Sequence, residues 1–187
     1  MQMAKKPKLK HVFCDSEKRQ IYLRGEIRPA TSCLIKQALT YLAKRGATED
    51  AQFYISSEGG NFCESLKIYH MIVSVPFKIT TVAVDYVASG ALLILQAGHK
   101  RAAFAGATIA FHQTVETFIG DLDHNANDYL RAFLELQRID AIQLLILTRK
   151  SEKIKEIFNL FNTEAEISAK EALKFGLIDK IIKPPKN

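Results

Sequence analysis

Residues 78–98, KITTVAVDYVASGALLILQAG, contain a β-branched segment, a serine–glycine junction and an apolar segment in direct succession. The β-branched residues between Lys78 and Val84 predict a buried strand. The stretch from Ala88 to Ala97 is apolar and too long for an ordinary strand, so we predict a buried helix that is entered through Ser89 and its following glycine. A strand that leads directly into a buried helix is typical of α/β folds.

The rest of the chain alternates predicted strands and helices in the same way. Further strands are predicted at residues 19–27, 52–56, 100–103, 108–112 and 177–182, and further helices at residues 31–46, 62–75, 125–149 and 168–174. Thr31 or Ser32 is the predicted cap of the first helix, and a capping box of Ser168 and Glu171 opens the last one. This alternation indicates right-handed crossovers and a largely parallel sheet. We therefore predict one α/β domain at residues 19–187, after a basic arm at residues 1–18 that we expect to be mobile.

The charge and hydropathy patterns argue against two classes of partner. The 187-residue chain has a formal net charge of +6, but its basic residues away from the termini alternate with acidic ones, as in residues 150–156 (KSEKIKE). A solvated helix face explains this pattern better than a nucleic-acid surface, which would combine a basic face with exposed aromatics. No run approaches the roughly 18 apolar residues of a membrane span, and no apolar signal core follows the basic N-terminus. We expect a cytoplasmic protein without a nucleic-acid or membrane partner.

The spacing of cysteines and histidines gives no support to a metal or cofactor site. The three cysteines form no CxxC pair, which argues against structural zinc and against a disulfide framework. Four histidines show no ligand spacing such as HExxH: His11, His70, His99 and His124. The phosphate-binding pattern GxxxxGK[ST] does not occur in the sequence either. We therefore expect no metal, no cofactor and no ATPase activity of the chain itself.

Two glycine-containing junctions between a strand and a helix indicate chemistry. They are residues 56–60 (SSEGG) and residues 86–90 (YVASG). The free backbone N–H groups at the start of a helix can hold a developing oxyanion, and Ser89 lies beside such donors. His112 ends an apolar segment downstream, and a Ser–His pair is the minimum that activates a hydroxyl nucleophile. Each feature also has a structural interpretation: the serine as a helix cap, the histidine as a structural residue and the glycine pair as a turn.

Four short motifs occur in order along the chain, with Gly60 29 residues before Ser89 and His112 23 residues after it. The motifs are residues 57–60 (SEGG) with 68–69 (IY), residues 87–98 (VASGALLILQAG), residues 112–114 (HQT), and residues 168–172 (SAKEA) with 176–179 (GLID). Together they resemble the motifs of the proteolytic subunit of the Clp protease over residues 19–182. The resemblance implies that family's single-domain α/β fold, which crotonases share, built of repeated β-β-α units with a long handle helix.

The resemblance also implies a serine endopeptidase. In that family's scheme Ser89 is the nucleophile, His112 is the general base, and the backbone N–H groups of Gly60 and Gly90 form the oxyanion hole. The implied substrates are peptides or unfolded proteins, cleaved inside a homo-oligomeric ring. The implied partner is a separate AAA+ unfoldase.

The third member of the triad is less well defined by the motifs. The family has an aspartate four residues before its Ser-Ala-x-Glu-Ala motif, and this position is Glu164 here. A glutamate can orient an imidazole as an aspartate does. Three other residues remain open for the role: Glu166, Asn162 and Asp85.

The chain also departs from the family pattern near the junctions. Gly90, Glu58 and Thr114 replace the family's usual residues, and residues 117–127 (TFIGDLDHNAN) lack most of its glycine-rich strand. These departures leave two other hypotheses. One is a catalytically silent Clp-like subunit with a structural or regulatory role in a mixed ring. The other is a crotonase-type enzyme acting on acyl-CoA thioesters, which the Ser–His pair disfavours.

Overall fold

A computed structural model of the chain describes residues 11–114 and 125–183. The first ten residues of the predicted arm, and most of the altered segment at residues 117–127, lie outside the described residues. The strands are β1 (Val12–Asp15), β2 (Gln20–Arg24), β3 (Ala51–Ser57), β4 (Ile79–Ala88), β5 (Lys100–Phe104), β6 (Thr108–Ala110), β7 (Glu166–Ser168) and β8 (Lys180–Ile182). The helices are α1 (Pro29–Arg45), α2 (Phe62–Ser74), α3 (Gly90–Ala97), α4 (Ala126–Thr148), α5 (Ile154–Asn162) and α6 (Ala169–Lys174).

The main sheet is parallel except at one edge. Its strand order is β1-β2-β3-β4-β5-β8, and only the pairing of β1 with β2 is antiparallel along this path through the described residues. Parallel neighbours need a crossover connection, and α1, α2 and α3 provide the crossovers between β2, β3, β4 and β5. The predicted α/β fold of strand–helix units with one long helix is confirmed.

Strand β4 changes its partner halfway along its length. Its first half, Thr80 to Ala83, pairs with β5, and its last three residues pair with β6. On the other side β4 stays beside β3, with a register shift between Ile55 and Ser57. The last residues of β4 therefore pair with β3 and β6 and no longer with β5. The strand ends at Ala88, and Ser89 follows it.

The hydrophobic core lies between the sheet and its crossover helices. Ile21, Phe53 and Ile55 are fully buried on the strands, and all eight residues of α3 are buried. This burial accounts for the continuous apolar sequence of α3, because a helix that is covered on every side needs no polar face.

A buried arginine holds the end of α1 against the sheet. The Arg19 guanidinium donates hydrogen bonds to the carbonyl oxygens of Leu42 at 3.1 Å, Gly46 at 2.9 Å and Glu49 at 2.7 Å. The guanidinium carbon of Arg19 also lies over the ring of Phe77, 5.0 Å from the ring centroid. The planar guanidinium thus ties the last turn of α1 and the segment that follows it to one buried side chain.

The arm predicted at residues 1–18 contains a strand of the sheet. Val12–Asp15 forms β1, in which Val12 is buried and pairs with Leu23 of β2. The strand has only four residues and follows a basic stretch, so its alternating pattern is too short to stand out in the sequence.

The start of α1 and the end of β4 also differ from the prediction. α1 begins at Pro29, because proline is favoured at the first helical position, and Thr31 Oγ1 accepts a hydrogen bond from the Arg28 backbone N–H at 3.2 Å. Neither Thr31 nor Ser32 is the N-cap. β4 continues to Ala88 because β6 supplies a second partner, and helix α5 and strand β7 were not predicted.

The capping box of α6 is confirmed. Ser168 Oγ accepts a hydrogen bond from the Glu171 N–H at 3.3 Å, and Glu171 Oε2 accepts one from the Ser168 N–H at 2.9 Å. These hydrogen bonds from Ser168 hold the pKa of Glu171 below its ordinary value.

Helix α4 is confirmed as the long helix, but much of its apolar surface faces solvent. Its buried residues are Gln143 and Leu147. Four large apolar side chains are 54–70 % exposed, and we call them the apolar face of α4: Leu130, Phe133, Leu134 and Leu145. None of the helices in the described ranges is both long enough and apolar enough to cross a membrane.

Candidate active site

The strand register brings Ser89 and His112 to the same edge of the sheet. β4 and β6 are parallel, and Ala88 at the end of β4 pairs with Ala110 at the end of β6. Ser89 follows the first strand directly, and His112 follows the second after one buried residue, Phe111. Both side chains are half-buried and line one cleft of about 530 Å³. The remaining lining residues are Glu26, Glu58, Gly59, Gly60, Asn61, Phe62, Cys63, Gly90, Thr114, Ile139 and Gln143.

The backbone at Ser89 makes a sharp turn from strand to helix. Ser89 has φ 52° and ψ −129°, a region that residues with a side chain rarely occupy. Its side chain makes no capping hydrogen bond, although Ser89 stands at the N-cap of α3. The Ser89 side chain therefore does not cap the helix, and Ser89 lines the cleft at a turn that resembles the strained turns carrying serine nucleophiles on other α/β sheets.

The two glycine junctions meet at this turn. A Cβ atom added to Gly59 would lie 2.7 Å from Ser89 Cβ and 2.8 Å from the carbonyl oxygen of Ala88. A Cβ atom added to Gly90 would overlap Ser65 Oγ and would lie 3.7 Å from the carbonyl oxygen of Gly60. Only glycines allow the backbones to approach this closely, so the SEGG and ASG junctions form one packed unit beside the nucleophile position.

The residues predicted for the oxyanion hole are both part of this unit. Gly60 and Gly90 line the cleft together with Ser89. Gly90 is the first residue of α3, and the first hydrogen bond at that end runs from the Leu92 N–H to the Ser89 carbonyl at 2.9 Å. The N–H groups before Leu92 have no carbonyl within the helix to bind, because the first turn of any helix leaves its donors unpaired.

His112 is held in one tautomer by a backbone carbonyl. Its Nδ1 lies 2.8 Å from the carbonyl oxygen of Gln113. A carbonyl oxygen only accepts hydrogen bonds, so Nδ1 carries the proton and Nε2 keeps the lone pair that a general base needs. No hydrogen bond joins Ser89 to His112 among the described residues; such contacts often tighten only when a substrate is bound.

Glu164 lies in the turn between α5 and β7, close to the end of the β6–β7 ladder. The antiparallel register pairs Ala110 with Glu166, and the Phe111 N–H donates to the Ala165 carbonyl at 2.9 Å. The ladder does not continue to Glu164, which has φ 51° and whose N–H donates to the Phe161 carbonyl at 3.3 Å. The Glu164 side chain is exposed, and its Oε1 accepts a hydrogen bond from the Gln113 N–H at 3.3 Å. The carboxylate therefore contacts the backbone next to His112.

The three rival residues have other partners within the described ranges. Glu166 Oε1 accepts a hydrogen bond from the Tyr86 hydroxyl at 3.1 Å. The pKa of Tyr86 is raised, mainly by burial of the hydroxyl and then by this hydrogen bond. Asn162 Oδ1 lies 3.5 Å from the side-chain nitrogen of Gln113. Asp85 Oδ1 accepts the neighbouring backbone N–H of Tyr86 at 2.6 Å. None of the three is hydrogen-bonded to His112 in this part of the chain.

Two cleft residues on α4, and an acid beside them, were not predicted. Gln143 and Ile139 line the cleft, and Asp140 accepts hydrogen bonds from Thr114. Asp140 and Gln143 are three residues apart and share one helix face. The sequence offers no stronger signal for them than this spacing, because their partner lies 26 or more residues away along the chain.

The described residues include no group of three or more His, Cys, Asp or Glu side chains that could hold a metal ion. The cleft combines the Ser89 hydroxyl, the His112 imidazole and the glycine-rich turn, which are the kinds of group used in acyl transfer through a serine nucleophile.

Comparison with known proteins assigns the family. The model of the Clp protease family matches residues 10–185. The chain is 29% identical over 174 residues to an ATP-dependent Clp protease proteolytic subunit of Dehalococcoides mccartyi, covering 91% of this chain and 85% of that one. It is 31% identical over 170 residues to the ATP-dependent Clp protease proteolytic subunit 2 of Leifsonia xyli subsp. xyli, covering 89% and 75%. The chain belongs to the Clp protease family of serine-type peptidases.

Proposed function

We propose that the chain is a serine endopeptidase in which Ser89 is the nucleophile and His112 the general base. The observation that carries the proposal is the shared edge of β4 and β6, where the two side chains line one cleft at the end of paired strands. The turn at Ser89 and the tautomer of His112 support it, because both suit the roles assigned.

The proposed reaction follows the general scheme of serine peptidases. Ser89 Oγ attacks the scissile carbonyl carbon while His112 Nε2 takes its proton, and the N–H groups of Gly60 and Gly90 bind the resulting oxyanion. The imidazolium then gives its proton to the leaving amine, which departs and leaves an acyl-enzyme. A water molecule, activated by the same nitrogen, releases the acid product and restores Ser89.

Glu164 is the proposed orienting acid. Its support is its position in the turn before β7, together with its hydrogen bond to the Gln113 N–H, the backbone next to His112. In this conformation the carboxylate binds the backbone of Gln113, the residue after His112, and does not bind the imidazole itself.

We further propose a homo-oligomeric ring that degrades peptides or unfolded proteins delivered by a separate AAA+ unfoldase. The apolar face of α4 supports an assembly, because exposed large apolar side chains in a cluster are typical of protein interfaces. The relatives are named as ATP-dependent proteins. Since the sequence contains no P-loop pattern, the ATPase would be another chain.

Peptide hydrolysis by single-residue variants tests the assigned roles. Ser89→Ala and His112→Ala should each lose at least about a thousandfold in kcat, because removing either triad member disables nucleophilic attack. Ser74→Ala is the matched control, since Ser74 is exposed at the end of α2 and does not line the cleft. Retained hydrolysis in Ser89→Ala would show that another group is the nucleophile.

A catalytically silent subunit is the second candidate. It is favoured by one contact: Glu164 binds the Gln113 backbone instead of the imidazole. A silent subunit would assemble normally but would hydrolyse no peptide, either alone or when the unfoldase is present. A crotonase-type activity has less support, because the strained serine turn serves a nucleophile.

A further inference from the structure

The peptide group between Gln113 and Thr114 has hydrogen bonds on both sides. Its carbonyl oxygen accepts the Nδ1 proton of His112 at 2.8 Å. Its N–H, which belongs to Thr114, donates to Oδ1 of Asp140 on α4 at 3.0 Å. One planar peptide unit thus joins the imidazole of His112 to a carboxylate that is not the predicted triad acid.

We propose that Asp140 is a positioning residue for His112 and acts through the peptide group between Gln113 and Thr114. The proposal rests on the proposed function, because it assigns a role relative to His112 as general base. A carboxylate that accepts the N–H of a peptide polarises its carbonyl, and hydrogen bonds in such a chain strengthen one another. The Gln113 carbonyl consequently becomes a better acceptor for the His112 Nδ1 proton.

The contacts around Asp140 fix its carboxylate in place. Thr114 donates to the same Oδ1 a second time, from its hydroxyl at 2.7 Å. Gln143 Nε2 donates to Thr114 Oγ1 at 2.8 Å and approaches Asp140 Oδ1 at 3.4 Å. Gln143 is 5 % exposed and Asp140 and Thr114 are half-buried, so the network is partly shielded from solvent, and in such surroundings hydrogen bonds to a charged group are stronger than in water.

Asp140 makes more and shorter hydrogen bonds to residues 113–114 than Glu164 does. Its two hydrogen bonds from Thr114 measure 3.0 and 2.7 Å, whereas Glu164 accepts a single bond of 3.3 Å from the Gln113 N–H. Asp140 is half-buried and Glu164 is exposed. In addition, only the Asp140 bond is made to the peptide unit whose carbonyl contacts the imidazole.

The role becomes important when the histidine is charged. After His112 takes the serine proton, its Nδ1–H donates more strongly to the Gln113 carbonyl, and a negative charge behind that peptide stabilises the imidazolium. Asp140 would therefore favour the charged state that precedes proton transfer to the leaving amine, without contacting the substrate.

The first test is the kinetics of Asp140→Asn. We expect kcat to fall about tenfold with KM within about twofold, which is less than the roughly 10⁴-fold loss for a directly bonded triad acid, because one peptide group intervenes. The matched control is Glu135→Gln on the same helix, whose carboxylate pairs with Arg138 and does not touch the loop. A kcat for Asp140→Asn within twofold of wild type would overturn the proposal.

The second test removes the peptide N–H instead of the acid. Thr114→Pro deletes both Thr114 donors to Asp140, the peptide N–H and the hydroxyl, and keeps the Gln113 carbonyl, since proline has neither group. We expect a similar loss in kcat, and no further loss when Asp140→Asn is added to Thr114→Pro. Losses that multiply in the double variant would show that Asp140 does not act through this peptide, and would also overturn the proposal.

Labelling with a fluorophosphonate distinguishes failure of the proposed function from failure of the role proposed for Asp140. The final number of labelled sites counts the chains with a reactive nucleophile, and the rate of labelling reports how well His112 activates Ser89. Asp140→Asn should reach the wild-type stoichiometry at a rate about tenfold lower. A wild-type chain that is folded but unlabelled would refute the proposed function itself, whereas equal labelling rates in wild type and Asp140→Asn would refute only the positioning role.

Discussion

The role proposed for Ser89 conflicts with stability at that residue. Its φ of 52° lies where a side chain is strained, at a cost on the order of 1–3 kcal/mol. The packed glycines beside it hold the turn in this shape. The strain is the consequence of exposing a hydroxyl at the junction between a buried strand and a buried helix.

A pair of variants at Ser89 measures this strain. Ser89→Gly and Ser89→Ala should both be inactive, but the glycine variant should have the larger free energy of unfolding, by about 1 kcal/mol, because only glycine adopts a positive φ freely. Chemical denaturation of the two proteins compares them directly. Equal stability would mean that the turn relaxes once the hydroxyl is removed.

Substitution of Glu164 tests the orienting acid. Glu164→Gln should lower kcat by about tenfold or more while leaving the fold intact, because the Gln113 N–H loses a charged acceptor. Glu166→Gln is the comparison, since Glu166 binds Tyr86. If instead Glu166→Gln is inactive and Glu164→Gln is unaffected, the role belongs to Glu166.

An ion pair joins Arg101 of β5 to Asp179, the residue before β8, and explains the aspartate of the Gly-Leu-Ile-Asp motif. Arg101 is 3 % exposed and donates from Nη2 to Asp179 Oδ1 at 2.5 Å and from its backbone N–H to Oδ2 at 2.7 Å. Gln96 accepts a further hydrogen bond from Nη1 at 2.7 Å. Burial raises the pKa of Asp179, but the hydrogen bonds from Arg101 outweigh it and hold this pKa below its ordinary value of 3.8.

This ion pair predicts a pH-dependent stability. Because the folded pKa of Asp179 is lowered, its contribution is present above the ordinary value near pH 4 and is lost as the pH falls through the folded value. Asp179→Asn should lower the free energy of unfolding by about 2 kcal/mol at pH 7. This is less than the loss expected from breaking a fully buried ion pair, because the Asp179 carboxylate is 42 % exposed. Chemical denaturation of the wild type and of Asp179→Asn between pH 7 and pH 3 checks this prediction. A difference in their free energies of unfolding that does not shrink in acid would contradict it.

The main elements could be predicted from sequence because their patterns are long or strongly apolar. The strand–turn–helix unit at residues 78–98 and the long helix α4 are examples. Shorter elements were missed: β1 has four residues, β7 has three, and the charged run at residues 150–156 hides the start of α5. The pairing of β4 with β6, which brings Ser89 to His112, depends on a change of partner that no local pattern encodes.

The site shows the same division between local and distant signals. Ser89, His112 and the glycines stood out by residue type and spacing, and all of them line the cleft. Asp140 was not predicted, because its contact with Thr114 joins a helix to a loop far away in the chain. A hydrogen bond to a backbone N–H leaves no requirement for a particular partner residue type, so the sequence contains no matching pair to find.

For the whole molecule, the apolar face of α4 predicts assembly. Phe133→Glu should shift the protein towards monomers, because a charge at the centre of an apolar interface is costly to bury without a partner. Gln137→Glu, an exposed polar position on the same helix, is the control for added charge. Light scattering after size-exclusion chromatography gives the masses, and a wild-type protein that is monomeric at micromolar concentration would contradict the prediction.

The most direct test of the central claim is the site of fluorophosphonate modification in the wild-type protein. The account predicts one adduct per chain, located on Ser89 by mass spectrometry, and a lower labelling rate in His112→Ala because that variant lacks the general base. A folded protein that forms no adduct, or forms it at another residue, would contradict the assignment of Ser89 as the nucleophile.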